Sequence, residues 1–282
     1  MSLLQVDELG ALTAPVLLGA FDGWVNAGSA GTLVADHLTG EGRLVGRIDS
    51  DEIYDYRAVR PTVDFTDGVL SDIEYPEMQL HQIELGGRDL LVLTGPEPNW
   101  NWRRLGRDVA TFAITVGVVE HVSVGGIPWA VPHTRPTSII VTASQPEELP
   151  PDPYRPAGIL QVPASFTSSL EAAVAGQGIP GHGFWARVPQ YVGTAYLPAA
   201  VALLERVSTQ LGVSVPFGDI VDQAAEQRAR LDEIASGRPD VQAMIEQLES
   251  LVDSADVPGE ELAAEIERFL QQQPGSGGLD DS

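Results

Sequence analysis

Short continuous apolar runs set off by Gly-, Pro- and Asp-rich loops dominate the first two-thirds of the chain. Apolar residues at helical spacing dominate its last quarter. Residues 15–20 are a compact apolar run, which predicts a buried strand, and the polar loop Phe21-Asp22-Gly23-Trp24-Val25-Asn26 follows. A helix is predicted over residues 27–38, with Leu33, Val34, His37 and Leu38 inward and Gly40 and Gly42 stopping it. Ile83-Glu84-Leu85, then Gly86-Gly87-Arg88-Asp89, then the apolar residues 90–94 predict a hairpin leading into a second buried strand. A helix is predicted over 101–113, and the β-branched stretch 114–124 predicts a third buried strand or its approach. Further strands are predicted at 138–142, 159–162 and 184–188, and helices at 165–175 and 194–211. Such alternation predicts a parallel or mixed sheet with helices on both faces.

Two regions break the alternation. Residues 49–77 are acidic, tyrosine-rich and interrupted by Pro61 and Pro76, which predicts an extended excursion or hairpin arm. After Pro216 only helices are predicted. Ile220, Ala224, Leu231 and Ile234 share a face of the first, and Val241, Met244, Ile245, Leu248 and Leu251 form the stripe of the second. Leu262, Ile266, Phe269 and Leu270 mark a third, with turns at Gly237-Arg238-Pro239 and Val257-Pro258-Gly259. The expected organisation is an α/β core over 1–215, an acidic helical unit over 216–273, and a disordered Gly/Ser/Asp-rich tail over 274–282.

Composition narrows the function classes. With no cysteine in 282 residues, disulfides, iron–sulfur clusters and Cys-type zinc sites are excluded. No apolar run approaches the roughly 20 residues of a membrane span. The first residues carry acids and no basic region, so no signal peptide is expected and the predicted location is cytoplasmic. A net charge of −24 argues against nucleic acid and against anionic membranes as partners. From residue 219 to the end there are sixteen acids and four arginines, a net of −12, so a partner for that segment is expected to be basic or polar. All sixteen basic residues are arginine. That removes Schiff-base lysines and the phosphate-loop lysine, and leaves only the N-terminal amine for lysine-directed tagging.

The run Gly125-Gly126-Ile127-Pro128-Trp129-Ala130-Val131-Pro132-His133-Thr134-Arg135-Pro136 is the most distinctive stretch. Its three prolines and Gly-Gly pair predict a rigid loop, neither helix interior nor central strand. Three polar loops then stand at the carboxyl ends of predicted strands, the edge where open α/β sheets bind ligands. They supply the candidate ligand or interface residues Asp22, Trp24, Asn26, Glu97, Asn99, Trp100, Arg103, His133 and Arg135. The structural alternative is that Trp and Arg merely cap the edge, with Arg135 paired to Asp22 or Glu97. Gly176-Gln177-Gly178-Ile179-Pro180-Gly181 spells a dinucleotide pattern, but it follows a helix, precedes a strand and contains a proline, so it reads as a helix-ending turn. Gly28 and Gly31 fit close helix–sheet packing or a phosphate approach. The histidines at 37, 81, 121, 133 and 182 have no metal-ligand spacing, and Ser123 and Ser165 lack a nucleophile elbow. No metal, cofactor or catalytic set is assigned.

Several segments in order resemble one family: Phe21-Asp22-Gly23-Trp24 before a helix, Tyr56-Arg57-Ala58-Val59-Arg60-Pro61, and Glu97-Pro98-Asn99-Trp100. Val131-Pro132-His133-Thr134-Arg135-Pro136 and Trp185-Ala186-Arg187-Val188-Pro189-Gln190-Tyr191 complete the set. Together they resemble the bacterial branch of the proteasome assembly chaperone type 2 family over about residues 15–270. The resemblance implies a three-layer α/β/α fold with a mixed sheet, similar to nucleoside phosphorylases and peptidyl hydrolases, plus a C-terminal helical unit. It further implies homo-oligomers, trimers in particular, and for eukaryotic members a role in guiding α-type subunits into proteasome rings. Two departures stand out. The family pattern Trp-Asn-Asp-Ala-Gly is here Trp24-Val25-Asn26-Ala27-Gly28, which lacks the acid. The final Leu279-Asp280-Asp281-Ser282 lacks the hydrophobic–tyrosine tail of proteasome-docking chaperones.

Two functional expectations follow. The first is a non-enzymatic oligomer that binds protein partners, α-type proteasome subunits among them, through outward acids Glu246, Glu249, Glu261 and Glu265 of the helical unit. The second is a small-molecule enzyme in which Arg135 and Arg103 hold an anionic group, His133 is the acid/base, and Trp24 or Trp100 stacks on a ring. Convergence of His133, Arg135, Asp22 and Glu97 on one open pocket favours the second, and mutual pairing in a filled crevice favours the first.

Overall fold

The structure is a computed structural model and describes residues 2–40, 42–150 and 158–253. In chain order its strands are β1 (Leu4–Val6), β2 (Val16–Asp22), β3 (Arg43–Ile48), β4 (Thr62–Thr66), β5 (Val69–Glu74), β6 (Gln79–Leu85), β7 (Arg88–Pro96), β8 (Glu120–Trp129), β9 (Ile139–Ala143) and β10 (Gly181–Pro189). The helices are α1 (Ala30–Thr39), α2 (Ser50–Ile53), α3 (Trp102–Thr115), α4 (Phe166–Ala175), α5 (Leu197–Leu211), α6 (Ile220–Ser236) and α7 (Pro239–Asp253).

Eight strands form one mixed sheet in the order β1-β3-β6-β7-β2-β8-β10-β9. The four central strands, β7, β2, β8 and β10, are mutually parallel. Antiparallel strands flank them on both sides. Central parallel strands are covered on both faces and therefore read as near-continuous apolar runs, as Val16 to Phe21 of β2 does. One face carries α1 and α5, whose Val34, Leu38, Leu203 and Val207 pack on Leu18, Val92, Val122 and Phe184. The other carries α3 and α4, whose Leu105, Val109, Phe166 and Leu170 pack on Leu17, Phe21, Leu91 and Leu93. This is a three-layer α/β/α fold.

Turn chemistry sets the β6–β7 hairpin. Gly86 and Gly87 both have positive φ, 57° and 82°, as a tight two-residue turn requires. The arm predicted between 49 and 77 contains α2 and the two-stranded ribbon β4–β5, all of whose strand residues are exposed. Gly176 closes α4 and Gly181 opens β10, as a helix-ending turn should.

Several sequence expectations shift. The helix predicted from residue 27 divides into a 3-10 turn, Ala27–Ser29, followed by α1. Residues 114 and 115 finish α3, and β8 begins only at Glu120. The strand expected at 159–162 is irregular and Ile159 is 93% exposed, because no neighbouring strand pairs with it. On α6, Ile220 and Ala224 are buried as expected, but Ile234 faces solvent and Ala235 takes the inner position. On α7 only Ile245 is fully buried, while Met244 and Leu251 remain exposed. The predicted third helix and the tail lie outside the described residues.

Candidate functional site

The carboxyl ends of β2, β7, β8 and β10 share one edge of the sheet, so the loops that follow them meet there. The distinctive run does not start as a loop: Gly125–Trp129 is the second half of β8, paired with β10 along its length. The opposite side of β8 loses β2 after Ser123, and the backbone of the β2–α1 loop takes its place. Gly126 N donates to Val25 O at 2.9 Å. A Cβ on Gly125 would stand 2.3 Å from Val25 O, and one on Gly126 2.3 Å from Ala27 O. The glycine pair is thus the condition for that close approach. Pro128 is tolerated because residue 128 points its nitrogen, like Gly126, to the side where β2 has ended. Arg187, 5% exposed, lies with its guanidinium 5.0 Å from the Trp129 ring centre and donates to Ser138 Oγ at 3.1 Å.

On the β2–β7 side, Asn26 is the pivot. Its Oδ1 accepts from Gly31 N (2.9 Å) and Thr32 N (3.3 Å), satisfying free amides in the first turn of α1. Its Nδ2 donates to Asp22 Oδ1 (3.0 Å) and Thr32 Oγ1 (3.1 Å). The carboxamide does what the missing acid could not, since a carboxylate here would face Asp22 with no proton to give. Glu97 ties the neighbouring loops together: Oε2 accepts from Trp24 N at 3.1 Å, and Oε1 accepts from Phe166 N at the start of α4. Asn99 Oδ1 accepts from Asp55 N at 2.9 Å. Trp24 and Trp100 are 39% and 55% exposed, and Arg103 lies on the exposed side of α3.

The β8 side is closed differently. His133 is 1% exposed. Its backbone N–H donates to the Tyr191 hydroxyl oxygen at 2.7 Å. Its Nε2 stands 3.2 Å from Asp232 Oδ1 of α6, a carboxylate oxygen that accepts, so Nε2 carries a proton and the neutral ring takes the Tyr191 hydroxyl proton at Nδ1, 2.7 Å away. Burial pushes the Tyr191 phenol up to about 12, so it remains the donor throughout the physiological range. Thr134 Oγ1 donates to Glu249 of α7. Arg135 grips Asp253 with Nε (3.0 Å) and Nη2 (2.6 Å), and Glu249 with Nη1 (3.0 Å). The guanidinium holds the Asp253 carboxyl below its usual value, and the carboxylates raise Arg135 in turn.

The nine candidate residues therefore separate into two clusters. Asp22, Trp24, Asn26 and Glu97 belong to one network, Asn99 and Trp100 tie instead to Asp55 and Ile53, and Arg103 is exposed, whereas His133 and Arg135 turn to the C-terminal helices. Arg135 pairs with neither Asp22 nor Glu97, and neither predicted outcome, convergence on an open pocket or mutual pairing of the four, is what the structure contains. Glu249, expected to face outward, faces Arg135 and is 26% exposed. Glu246 is exposed as expected, and Glu261 and Glu265 lie outside the described residues.

Sequence reasoning did not single out Asp232, Asp253 or Gln227, which seat α6 and α7. Gln227 bridges the β10–α5 loop, accepting from Leu197 N at 2.9 Å and donating to Ala195 O at 2.6 Å. Nothing in the sequence distinguishes these from the other polar residues of an acidic segment. A cavity of about 540 Å³ opens between the two clusters, lined by Asn26, Gly28, Ser29, Pro128, Gln190 and Thr194 among others, and no charged side chain lines it. Among the described residues no group of three His, Asp or Glu side chains is placed to hold a metal ion, and no helix is long and apolar enough to cross a membrane.

The model of the PAC2 family matches residues 20–235. No curated protein sequence matches the chain. Among solved structures, a Mycobacterium tuberculosis protein of unknown function is 31% identical, with a TM-score of 0.82 over 89% of this chain and 91% of its own. A PAC2 family protein from Streptomyces avermitilis is 30% identical, with a TM-score of 0.73 over 82% and 99%. A proteasome-assembly chaperone homologue from Mycobacterium tuberculosis is 30% identical, with a TM-score of 0.71 over 77% and 94%. With a family model matching three-quarters of its length and relatives at least 30% identical sharing its fold, the chain belongs to the PAC2 family.

Proposed function

We propose that this protein is a non-enzymatic, self-associating binding factor of the cytoplasm, of chaperone type, whose partners are α-type proteasome subunits. The observation that carries the reading is that the protein's own C-terminal helices occupy the groups an enzyme would need. His133 spends Nδ1 on Tyr191 and Nε2 on Asp232, so neither nitrogen can take a substrate proton. Arg135 is engaged by Glu249 and Asp253 and does not meet Arg103, so the two do not form an anion clamp. The solved homologue described as a proteasome-assembly chaperone supports the partner class. Outward acids such as Glu233 and Glu246 offer a negative face that would steer a basic surface.

Self-association, with a trimer as the expected product, rests on the β4–β5 ribbon. Phe65, Val69 and Leu70 are 67%, 68% and 54% exposed, on a two-stranded element that is marginal in isolation. Native mass spectrometry of the purified protein, alone and with α-type subunits from the same organism, tests both statements. The expected spectra contain a homo-oligomer and, on mixing, a complex of fixed stoichiometry that Glu233→Gln with Glu246→Gln weakens. A monomer removes the self-association reading. Unmixed species with α-type subunits remove the partner.

A further inference from the structure

The β4–β5 ribbon is two-faced, and one irregularity makes it so. Val63 pairs with Ile73 and Phe65 with Leu70, whereas Ser71 has no partner and bulges from β5. Residues paired across a ladder share a face, as do residues two apart along a strand. The extra residue therefore brings Val63, Phe65, Leu70 and Ile73 to one side, where a regular ladder would set Ser71 against Phe65 and turn Leu70 away. Asp64, Asp72 and Glu74 share the other side, with Asp64 directly across from Asp72. Like charges so placed repel, and among the described residues no cation pairs with either. With Asp67 at the tip, residues 62–74 carry four acids and no arginine, a net of −4.

The opposite combination lies on α3. Arg103, Arg104 and Arg107 against the single acid Asp108 give this helix a net of +2 in a chain of −24. Arg104 pairs with Glu52, and Asp108 accepts from Leu3 N. Arg103 and Arg107 are exposed, one turn apart, and make no ion pair among the described residues. Ile114, 48% exposed, continues their ridge two turns on, and exposed Trp100 stands just before the helix. From Arg103 to Ile114 the ridge is about 16 Å long, and a five-residue strand of the ribbon about 17 Å. The arm leaves the core beside this ridge: Asn99 N and Trp100 N both donate to Ile53 O, and Asn101 Nδ2 donates to Glu52 O. Every strand residue of the ribbon is nevertheless exposed, so the ribbon does not cover the ridge of its own copy.

Resting on the self-association reading above, we propose that the apolar face of one copy's ribbon seats on the Trp100–Ile114 ridge of a second copy, with Arg103 and Arg107 reaching the strand edges to answer Asp64 and Asp72. Arginine suits that place. Its stem covers apolar surface while its guanidinium extends past a ribbon whose two strands are about 5 Å apart. Two ribbons laid together would bring −4 against −4, so the charges that favour the α3 ridge disfavour a ribbon-to-ribbon dimer. A joint between two different surfaces leaves each pair of copies with one free ribbon and one free ridge, and such a series ends by closing into a ring, as a trimer does.

Native mass spectrometry of two full-length double variants, singly and mixed, tests the joint. Phe65→Asp with Leu70→Asp spoils the ribbon, and Arg103→Glu with Arg107→Glu spoils the ridge; all four residues are exposed, so the core does not rest on them. Each variant alone is expected as a monomer where the wild type is assembled, its self-association at least about a hundredfold weaker. Mixed in equal amounts, the two should give a heterodimer and nothing larger, since one intact ribbon meets one intact ridge and no second joint can form. A ridge variant that assembles as the wild type does overturns the docking and leaves self-association through the ribbon standing. A mixture that stays monomeric overturns the docking too. A wild-type monomer, or a ribbon variant that still assembles, removes the ribbon reading and the docking together. Should the charge reversal fail to fold by circular dichroism, Arg103→Gln with Arg107→Gln decides in its place, with an expected loss of about tenfold.

Discussion

One sheet edge is closed in two ways. At β2 and β7 the ties are partly local, with Asn26 holding Asp22 and the first turn of α1, and partly span 73 and 69 residues, with Glu97 holding the amides of Trp24 and Phe166. At β8 the ties come from about a hundred residues away, as Asp232, Glu249 and Asp253 reach His133, Thr134 and Arg135. The first closure is built from backbone amides, a carboxamide and the carboxylates of Asp22 and Glu97 that accept from them. The second is mainly ionic and exposed, so it depends on salt, on acid and on the seating of two helices that bury few side chains. The core is made rigid where it meets its own backbone, and adjustable where it meets the helical unit.

The sharpest way to break the rigid side is Gly126→Val. Its new Cβ would stand 2.3 Å from Ala27 O and 3.0 Å from the Ala30 Cβ, so the β2–α1 loop must leave β8. A loss of about 3 kcal/mol in urea unfolding is expected, with the helical unit still attached through Arg135. Wild-type stability in this variant would mean that the loop does not need the glycine.

A smaller effect is expected from Asn26→Asp, which restores the family pattern at that position. The new carboxylate loses the donor to Asp22 and faces its charge at about the same spot. A cost of about 2 kcal/mol at pH 7 is expected. Like-charge repulsion raises the folded value of the new acid, so its penalty is absent below about pH 4, the ordinary aspartate value, and grows as pH rises. Unfolding curves at pH 4 and pH 7 measure it, and equal losses at the two values would show that charge is not the cause.

How much of this was legible in the sequence follows from how local each signal is. The Gly86-Gly87 hairpin and the helix-ending turn at Gly176 have their cause within a few residues and stand where expected, and the buried strand expected over 15–20 is there too, running two residues further to Asp22. Gly125–Trp129 misled because Gly and Pro in a strand interior argue against a strand unless a neighbouring strand has ended and another backbone crosses there. Only the end of β2 supplies that condition. Glu249 misled for a related reason: helical spacing tells which residues share a face, but not which face meets Arg135. The separation of His133 and Arg135 from Asp22 and Glu97 was likewise beyond reach, since it depends on acids 99 to 118 residues further along.

The mildest perturbation tests the adjustable side. Arg135→Ala removes three hydrogen bonds to Asp253 and Glu249, and leaves Gln227 and Asp232 to seat α6 and the Thr134 hydrogen bond to Glu249 and buried Ile245 to seat α7. Global stability should hardly change, because the pair is exposed and the core does not rest on it. What should change is local: backbone amides of α7 exchange faster with solvent, while those of β2, β7 and β8 keep their protection. Two treatments of the wild type should imitate the variant. Added salt screens the pair, and acid removes it, since Asp253 has a lowered folded value and its contribution is lost as pH falls below the ordinary 3.8. If α7 exchanges identically in wild type and variant at low salt, the Arg135 ties are ornament and the helices are held by Gln227, Asp232, Thr134 and packing.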